Sequence, residues 1–327
     1  MSATPRVSVI VPTHNRPALL AEALHSIGQQ TFNHYEIVVV DDASTPPVTL
    51  DGLDEAVRAR TRIVRHDSSQ GGAAAKNTGI QAARGEIVAF LDDDDLYAPT
   101  YLQQALDVLD HHPEVDVVFM GVAWFGANEQ WGKAAYLDAM QKILQDAHGV
   151  ECGADVIVFD DALVGALLKR VPMAFQRPVV RKSAFALIGN YRDHCLLWDC
   201  DWATRAALRV RTALLNRGIY RQRVDNQGFS SKHERRLEHL LSGIEIRDTL
   251  LKEAQTQPAY RHKIPLFRAA AATAWFDLAY HHYLAGARLF ALSAWWQSQK
   301  RQFKPARTKL LARLILSLAR RASSPTA

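Results

Sequence analysis

Cysteine is scarce here: three in 327 residues, at Cys152, Cys195 and Cys200, an odd number with no C-x-x-C pair. That argues against a disulfide framework or a thiolate zinc site, and a reducing cytoplasm is the simplest setting. Long apolar runs are also missing. None approaches the ~18 residues of a membrane span, and Met1-Ser2-Ala3-Thr4-Pro5-Arg6 leads into an apolar strand with no signal-peptide core. The expected location is therefore cytoplasmic. Acidic residues stop at Asp277, whereas nine basic ones follow: Arg288, Lys300, Arg301, Lys304, Arg307, Lys309, Arg313, Arg320 and Arg321. Subtracting those nine from the net charge of +5 leaves −4 for residues 1–277. The positive charge belongs to a C-terminal segment, so nucleic acid is not an expected partner of the body. Internal repeats and long low-complexity stretches are absent as well.

What the chain does have is a globular composition, 48% hydrophobic and 22% charged, and length for one large domain or two ordinary ones. Its most informative stretch is Phe90-Leu91-Asp92-Asp93-Asp94-Asp95-Leu96-Tyr97. The apolar run 87–91 reads as a buried strand. Four adjacent aspartates repel one another, and burial at a strand end raises their pKa values further. A divalent cation relieves that penalty, and oxygen ligands suit Mg²⁺ or Mn²⁺; a solvated acidic turn is the plainer reading. The carboxyl end of a strand in an open α/β sheet is also where ligands bind.

Taken in order, Val7-Ser8-Val9-Ile10-Val11 is a β-branched strand broken by Pro12-Thr13-His14-Asn15-Arg16-Pro17. Asn15 with Pro17 marks a helix start, and Leu19, Leu20, Ala23, Leu24 and Ile27 follow at helical spacing. A second strand, residues 35–40, ends in Asp41-Asp42-Ala43-Ser44, and a helix between two strands implies a right-handed parallel crossover. Residues 62–65 form a weaker third strand. The alanine-rich segment 73–83, opened by Gly71-Gly72, is helical by propensity. A helix follows Pro99 and a strand-like run spans 115–125, completing a doubly wound pattern. Between 130 and 180 the signals weaken to a helix from Lys133 to Ala147, a short strand at Val179-Val180 and an otherwise loop-rich region. Trp198-Asp199-Cys200-Asp201-Trp202 precedes an alanine-rich helix, and residues 232–254 and 266–299 read as helices.

Val9-Ile10-Val11-Pro12-Thr13-His14-Asn15-Arg16, Val38-Val39-Val40-Asp41-Asp42-Ala43-Ser44, the segment 71–79 and residues 85–95 resemble, in order and spacing, glycosyltransferase family 2. The likeness covers roughly the first 125 residues and is patchier later, at 188–193 and 198–202. It implies an α/β chain of GT-A (Rossmann-like) fold, a mixed sheet flanked by helices, with a C-terminal helical extension. The implied domains are 1–230, catalytic, with a nucleotide-sugar-binding half at 1–125 and an acceptor-side half at 126–230, and then 231–327. The implied chemistry is inverting transfer from a UDP- or dTDP-sugar to a hydroxyl of a glycan or lipid-linked acceptor, in surface polysaccharide synthesis.

The resemblance also assigns residues. Asp42 would accept the N3–H of the base, a charge-assisted bond, with Asp41 beside it capping the turn. Pro12, Thr13, Asn15 and Arg16 would line base and ribose, and Lys76 would lie near base or diphosphate. Of the D-x-D pattern, Asp94 would bind the metal, Mn²⁺ or Mg²⁺, while Asp92 reaches the ribose or a metal-bound water; Asp93 and Asp95 are its neighbours in register. Asp199 matches the base that activates the acceptor, but Trp198 stands where the family more usually has an acid, so Asp201 is the alternative base; otherwise Asp201 would cap a helix beginning near Trp202. The family's late histidine is missing from the stretch 220–231; His233 lies just beyond, and Arg221 or Arg223 could hold the diphosphate instead. A metal-dependent phosphotransferase and a non-catalytic nucleotide-sugar-binding homologue are the competing readings. The C-terminal helices would pack on the body, pair with a second copy, or touch a membrane through the last, basic helix, whose apolar stripe Leu310, Leu311, Leu314, Ile315 and Leu318 is opposed by arginines and lysines.

Overall fold

The computed structural model describes residues 4–127, 130, 133–225 and 233–322. Contacts divide the chain into two compact units, one built on Met1–His194 with Trp198–Gln227, the other on Cys195–Leu197 with Gly228–Ala327.

The first unit opens with an alternating run: β1 (Val7–Thr13), α1 (Pro17–Gly28), β2 (Tyr35–Asp41), α2 (Glu55–Arg58), β3 (Thr61–Arg65), α3 (Gly72–Ala82) and β4 (Ile87–Phe90). It continues through β5 (Leu96–Tyr97), α4 (Tyr101–His111), β6 (Val117–Phe125), α5 (Lys133–Ala147), β7 (Val150–Glu151), β8 (Val156–Phe159) and α6 (Leu163–Leu167). Then come β9 (Pro178–Arg181), α7 (Phe185–Ile188), α8 (Trp198–Arg209) and β10 (Thr212–Arg223).

These strands form one mixed sheet in the order β3-β2-β1-β4-β9-β6-β10-β8-β7, with β5 paired to β10. Strands β1 to β4 are mutually parallel, and β9 runs antiparallel between β4 and β6. Two reversals cancel, so β6 and its parallel neighbour β10 point the same way as β4. The carboxyl ends of β1, β2, β4, β6 and β10 therefore share one edge. Strand β2 and strand β4 are buried along their whole length, as largely apolar strands of a two-sided sheet are, with Glu36 of β2 paired to Arg62.

Helix α1 begins with Pro17 at its first turn and buries Leu20, Ala23, Leu24 and Ile27. Asn15 is not its cap: it takes φ 55°, a conformation Asn tolerates, and its Oδ1 accepts from Thr45 N at 2.7 Å. Helix α3 lies close on β1, because a Cβ on Gly79 would meet Ile10 Cγ2 at 2.3 Å. Only glycine allows that approach. Part of the region read as loop-rich is ordered instead, since β7 and β8 extend the sheet beyond β10. Runs of two and four residues are too short to leave a period in the sequence. Helix α8 starts at Trp198 rather than near Trp202, so Asp199 and Asp201 lie inside its first turn.

The second unit carries α9 (Arg236–Thr256), α10 (Ile264–Leu284), α11 (Arg288–Arg301) and α12 (Thr308–Ala322). Its core joins Ile244, Leu278, Ala279, Ala291, Trp295, Leu310 and Leu314. Asp248 ties α9 to α11 through two hydrogen bonds from Arg301 and accepts from Trp275 Nε1 at 2.9 Å. The side chain of Leu318 lies outside the described residues.

Candidate active site

The tandem aspartates follow β4 at the shared carboxyl edge and alternate in exposure. Asp93 and Asp95 are buried, whereas the side chains of Asp92 and Asp94 are 31% and 25% exposed. Asp95 is held by the sheet itself: Tyr220 OH and Arg223 N each donate to it at 2.8 Å. Asp93 accepts from Thr13 Oγ1 at 2.7 Å, and Arg16 spans Asp93 and Asp94 at 3.2 and 3.0 Å. Burial drives Asp93 up to about 6 despite Thr13 and Arg16, and Asp95 to about 7 despite Arg177. Asp94 is raised as well, by burial and by the charge of Asp92. Burial alone would raise Asp92 too, but Lys76 and Arg177 bring it down to about 2.

Lys76 is the centre of the arrangement. Its side chain is buried, with Nζ 3.2 Å from Asp92 and 3.6 Å from Asp199. The rings of Trp198, Phe90 and Tyr191 surround the ammonium at 4.5, 5.5 and 5.8 Å. A lysine taken out of water needs paired carboxylates and aromatic faces of this kind. A solvated helix lysine does not describe it. Asn77 on the same helix exchanges two hydrogen bonds with the Tyr191 backbone, at 2.8 and 2.9 Å, fixing that wall.

Asp199 and Asp201 separate cleanly. Asp201 is 1% exposed and fully engaged, by Arg192 at 2.9 Å and by Arg205 Nε and Nη2, each at 2.8 Å. It clamps the turn before α8 and does not cap the helix. Among the described residues Asp199 has one ion-pair partner, the shared ammonium of Lys76, and burial lifts its carboxyl to about 6 against the pull of Lys76 and Arg177.

Asp42 lies further along the edge, after β2. One of its oxygens accepts from Gln70 N and lies 2.7 Å from His66 Nδ1; the other accepts from Ser69 Oγ and Gly71 N. All four acceptor positions of the carboxylate are thereby filled by the loop before α3. Asp41 accepts from Ser44 N and Val48 N and pairs with Arg65, which caps the turn. Pro12 is half-buried beside Thr13, and Asn15 serves the 44–45 turn. Arg221 is exposed over Phe125, while Arg223 donates to Asp94 O and Glu22. Residues 226–232 and the side chain of His233 lie outside the described residues.

Two site residues left no signal in the sequence. Arg177, just before β9, is buried with Nη2 3.2 Å from Asp92 and 3.6 Å from Asp95, and stacks on Tyr220 at 4.8 Å. His66 bridges Asp42 and Thr78 Oγ1 from the end of β3. Both are single residues whose place is set by strand pairing, not by a local pattern.

Against known proteins, the Glycosyl transferase family 2 model matches residues 8–162. A putative teichuronic acid biosynthesis glycosyltransferase, TuaG of Bacillus subtilis, is 36% identical over 107 residues, covering 32% of this chain and 42% of that one. The match spans less than half the length of the first curated relatives. S. aureus TarS 1–349, solved with UDP-GlcNAc, superposes with a TM-score of 0.56 at 17% identity over 90% of both chains. A mannosyltransferase of Pyrobaculum calidifontis, solved with GDP-Man and Mn²⁺, gives 0.50 at 22% identity, over 99% of this chain and 89% of that one. These likenesses establish the GT-A fold. Residues 8–162, just under half of the chain, are therefore identified as a glycosyl transferase family 2 region.

Proposed function

We propose that the chain is an inverting glycosyltransferase that moves a sugar from a nucleoside diphosphate donor to an acceptor hydroxyl, with Asp199 as the base. The observation that carries this reading is the single buried ammonium of Lys76 spanning Asp92 and Asp199, at 3.2 and 3.6 Å. It holds a donor-side carboxylate and an acceptor-side carboxylate in one constellation. Inversion needs a base on the sugar face away from the leaving diphosphate, and a carboxyl standing at about 6 is suited to taking a hydroxyl proton near neutrality. A donor-binding role without catalysis gives that carboxyl no part to play.

No trio of acidic, histidine or cysteine side chains converges on a cation position among the described residues. One or two carboxylates together with donor phosphates are the usual arrangement for Mg²⁺, and Asp92 and Asp94, the more exposed pair, fit it. Burial and the neighbouring charge of Asp92 both raise Asp94, and a cation there would relieve them. Bound at that pair, a divalent ion supplies charge stabilisation to the departing diphosphate. Arg16, already on Asp94, and Lys76 flank the same position.

TarS carries UDP-GlcNAc in its crystal, which supports a UDP- or dTDP-sugar as donor. With its acceptor positions filled, Asp42 is assigned to shaping the loop 69–71 that walls the nucleoside, with Thr13 and Arg16 on the facing turn. The name of TuaG supports an acceptor in a surface polysaccharide, glycan or lipid-linked. The test is release of nucleoside diphosphate from a panel of nucleotide sugars with Mn²⁺. Asp94→Ala and chelation of the metal should each cut release; if Asp94→Ala and Asp199→Asn leave it unchanged, the assignment fails.

A further inference from the structure

The apolar stripe of α12 turns inward. Leu310 and Leu314 are buried beside Leu278 and Trp295 with Leu311 packed on them, whereas Ile315 is exposed, so most of the described stripe packs the second unit. The unit's exposed apolar surface lies elsewhere. Leu284 at the end of α10, and Leu289 and Phe290 in the first turn of α11, are 67%, 75% and 68% exposed around a turn at Gly286 with φ 73°. On α11 the exposed positions Leu289, Ser293, Trp296 and Lys300 recur at the spacing of one helical face, opposite buried Ala291, Ala294, Trp295 and Ser298. Phe303 follows in the link to α12, also exposed. Single exposed hydrophobics are ordinary, but a concentration of this kind marks an interaction surface.

Charge selects the partner. Among the basic residues after Asp277, Arg301 is engaged by Asp248, and Arg307 by Ser298 and Thr273. Lys300, Lys304, Lys309 and Arg313 are exposed, with no acidic residue in this part of the sequence to balance them. A second copy placed on this face by a two-fold axis would set the cations against themselves. Nucleic acid would meet the charge but leave Leu284, Leu289 and Phe290 against a polar, wet interface. An anionic bilayer surface matches both features: leucine and phenylalanine enter the headgroup–acyl boundary, tryptophan sits at its level, and lysines lie among the phosphates.

We propose that the α10–α11 turn and the outer face of α11 dock on an anionic lipid surface. The inference stands apart from the sugar-transfer reading, because it uses none of that site's residues.

The test is sedimentation of the full chain with phosphatidylcholine vesicles, with and without phosphatidylglycerol. Binding is expected only to the anionic vesicles and should weaken in high salt. Leu289→Ser/Phe290→Ser should weaken it roughly tenfold or more, as loss of two buried apolar side chains implies. Lys300→Glu/Lys304→Glu should cost on the order of tenfold or more on anionic vesicles. Both pairs should keep the parent's circular dichroism, melting temperature and nucleotide release. Four results overturn the proposal. The first is a parent that fails to sediment with anionic vesicles at low salt, and the second a serine pair that sediments like the parent. The third is a parent dimer that the serine pair dissociates. The last is retention of parent and serine pair equally by single-stranded RNA while vesicles retain neither.

Discussion

Two regions of the first unit hold buried carboxylates against cations, and they do so in opposite ways. Around Asp201 the charges are closed: two arginines supply three donors to one carboxylate, and none of its oxygens is spare. Around Lys76 they are open: one ammonium is shared by Asp92 and Asp199, and the carboxyls of Asp93, Asp94, Asp95 and Asp199 all stand above their ordinary range. Saturated pairing makes structure, and unsaturated pairing leaves chemistry to be done. The contrast is sharpest because Asp199 and Asp201 are two residues apart on the same helical turn.

Exchanging the two carboxylates one at a time should break the comparison most visibly. Asp199→Asn is expected to lower transfer by roughly 10²- to 10⁴-fold, the usual worth of a general base, with the melting temperature held. Asp201→Asn should instead destabilise the fold by about 3–5 kcal/mol, as when one member of a buried ion pair is removed. Urea unfolding and initial rates measured on both variants decide it; a reversal of the two effects refutes the division.

The pH dependence follows from Asp199. Ionised, it accepts the acceptor's proton, so transfer should be flat above pH 6 and fall with acid through that point, the reverse of a general acid. The sign for stability is opposite. A carboxyl raised above its ordinary value binds its proton more tightly in the folded chain, so it weighs against folding above about pH 6 and that weight disappears as pH falls below its unfolded value. Lys76→Met removes the attraction that restrains Asp199, and the acid limb of the rate profile should move to higher pH. A limb that stays in place would show that the proton is taken elsewhere. The smallest change is Thr13→Val, which deletes one hydrogen bond to Asp93 and should cost about 1 kcal/mol in chemical denaturation.

Much of this was readable in the residues and some was not, for identifiable reasons. Strands β1, β2 and β4 are predominantly apolar runs that end in marked residues, so their order, and the carboxylates after them, could be placed from the sequence. The alanines and glycines of α3 announced a helix close to the sheet, but nothing local said that Lys76 would be buried in an aromatic box. That depends on Trp198 and Tyr191, more than a hundred positions away. Choosing between Asp199 and Asp201 likewise required Arg192 and Arg205, whose forks are set by the packing of α8. The amphipathic period of α12 suited a membrane as well as packing, and the burial of Leu310 and Leu314 was decided by Leu278 and Trp295, on other helices.

The reversed strand β9 has a consequence for how such a site can be varied. Because β9 runs against β4 and β6, the residue that enters it, not the one that leaves it, arrives beside Asp92. Met120 N donates to the carbonyl of Arg177 at 3.1 Å, so the backbone keeps its place whatever side chain it carries. Position 177 is therefore a dial separate from the scaffold. A neutral residue there would leave every strand intact and leave Asp92 with one cation fewer. Relatives that differ at this one place would be expected to differ in how strongly they hold a divalent ion, while sharing the same architecture to the last strand.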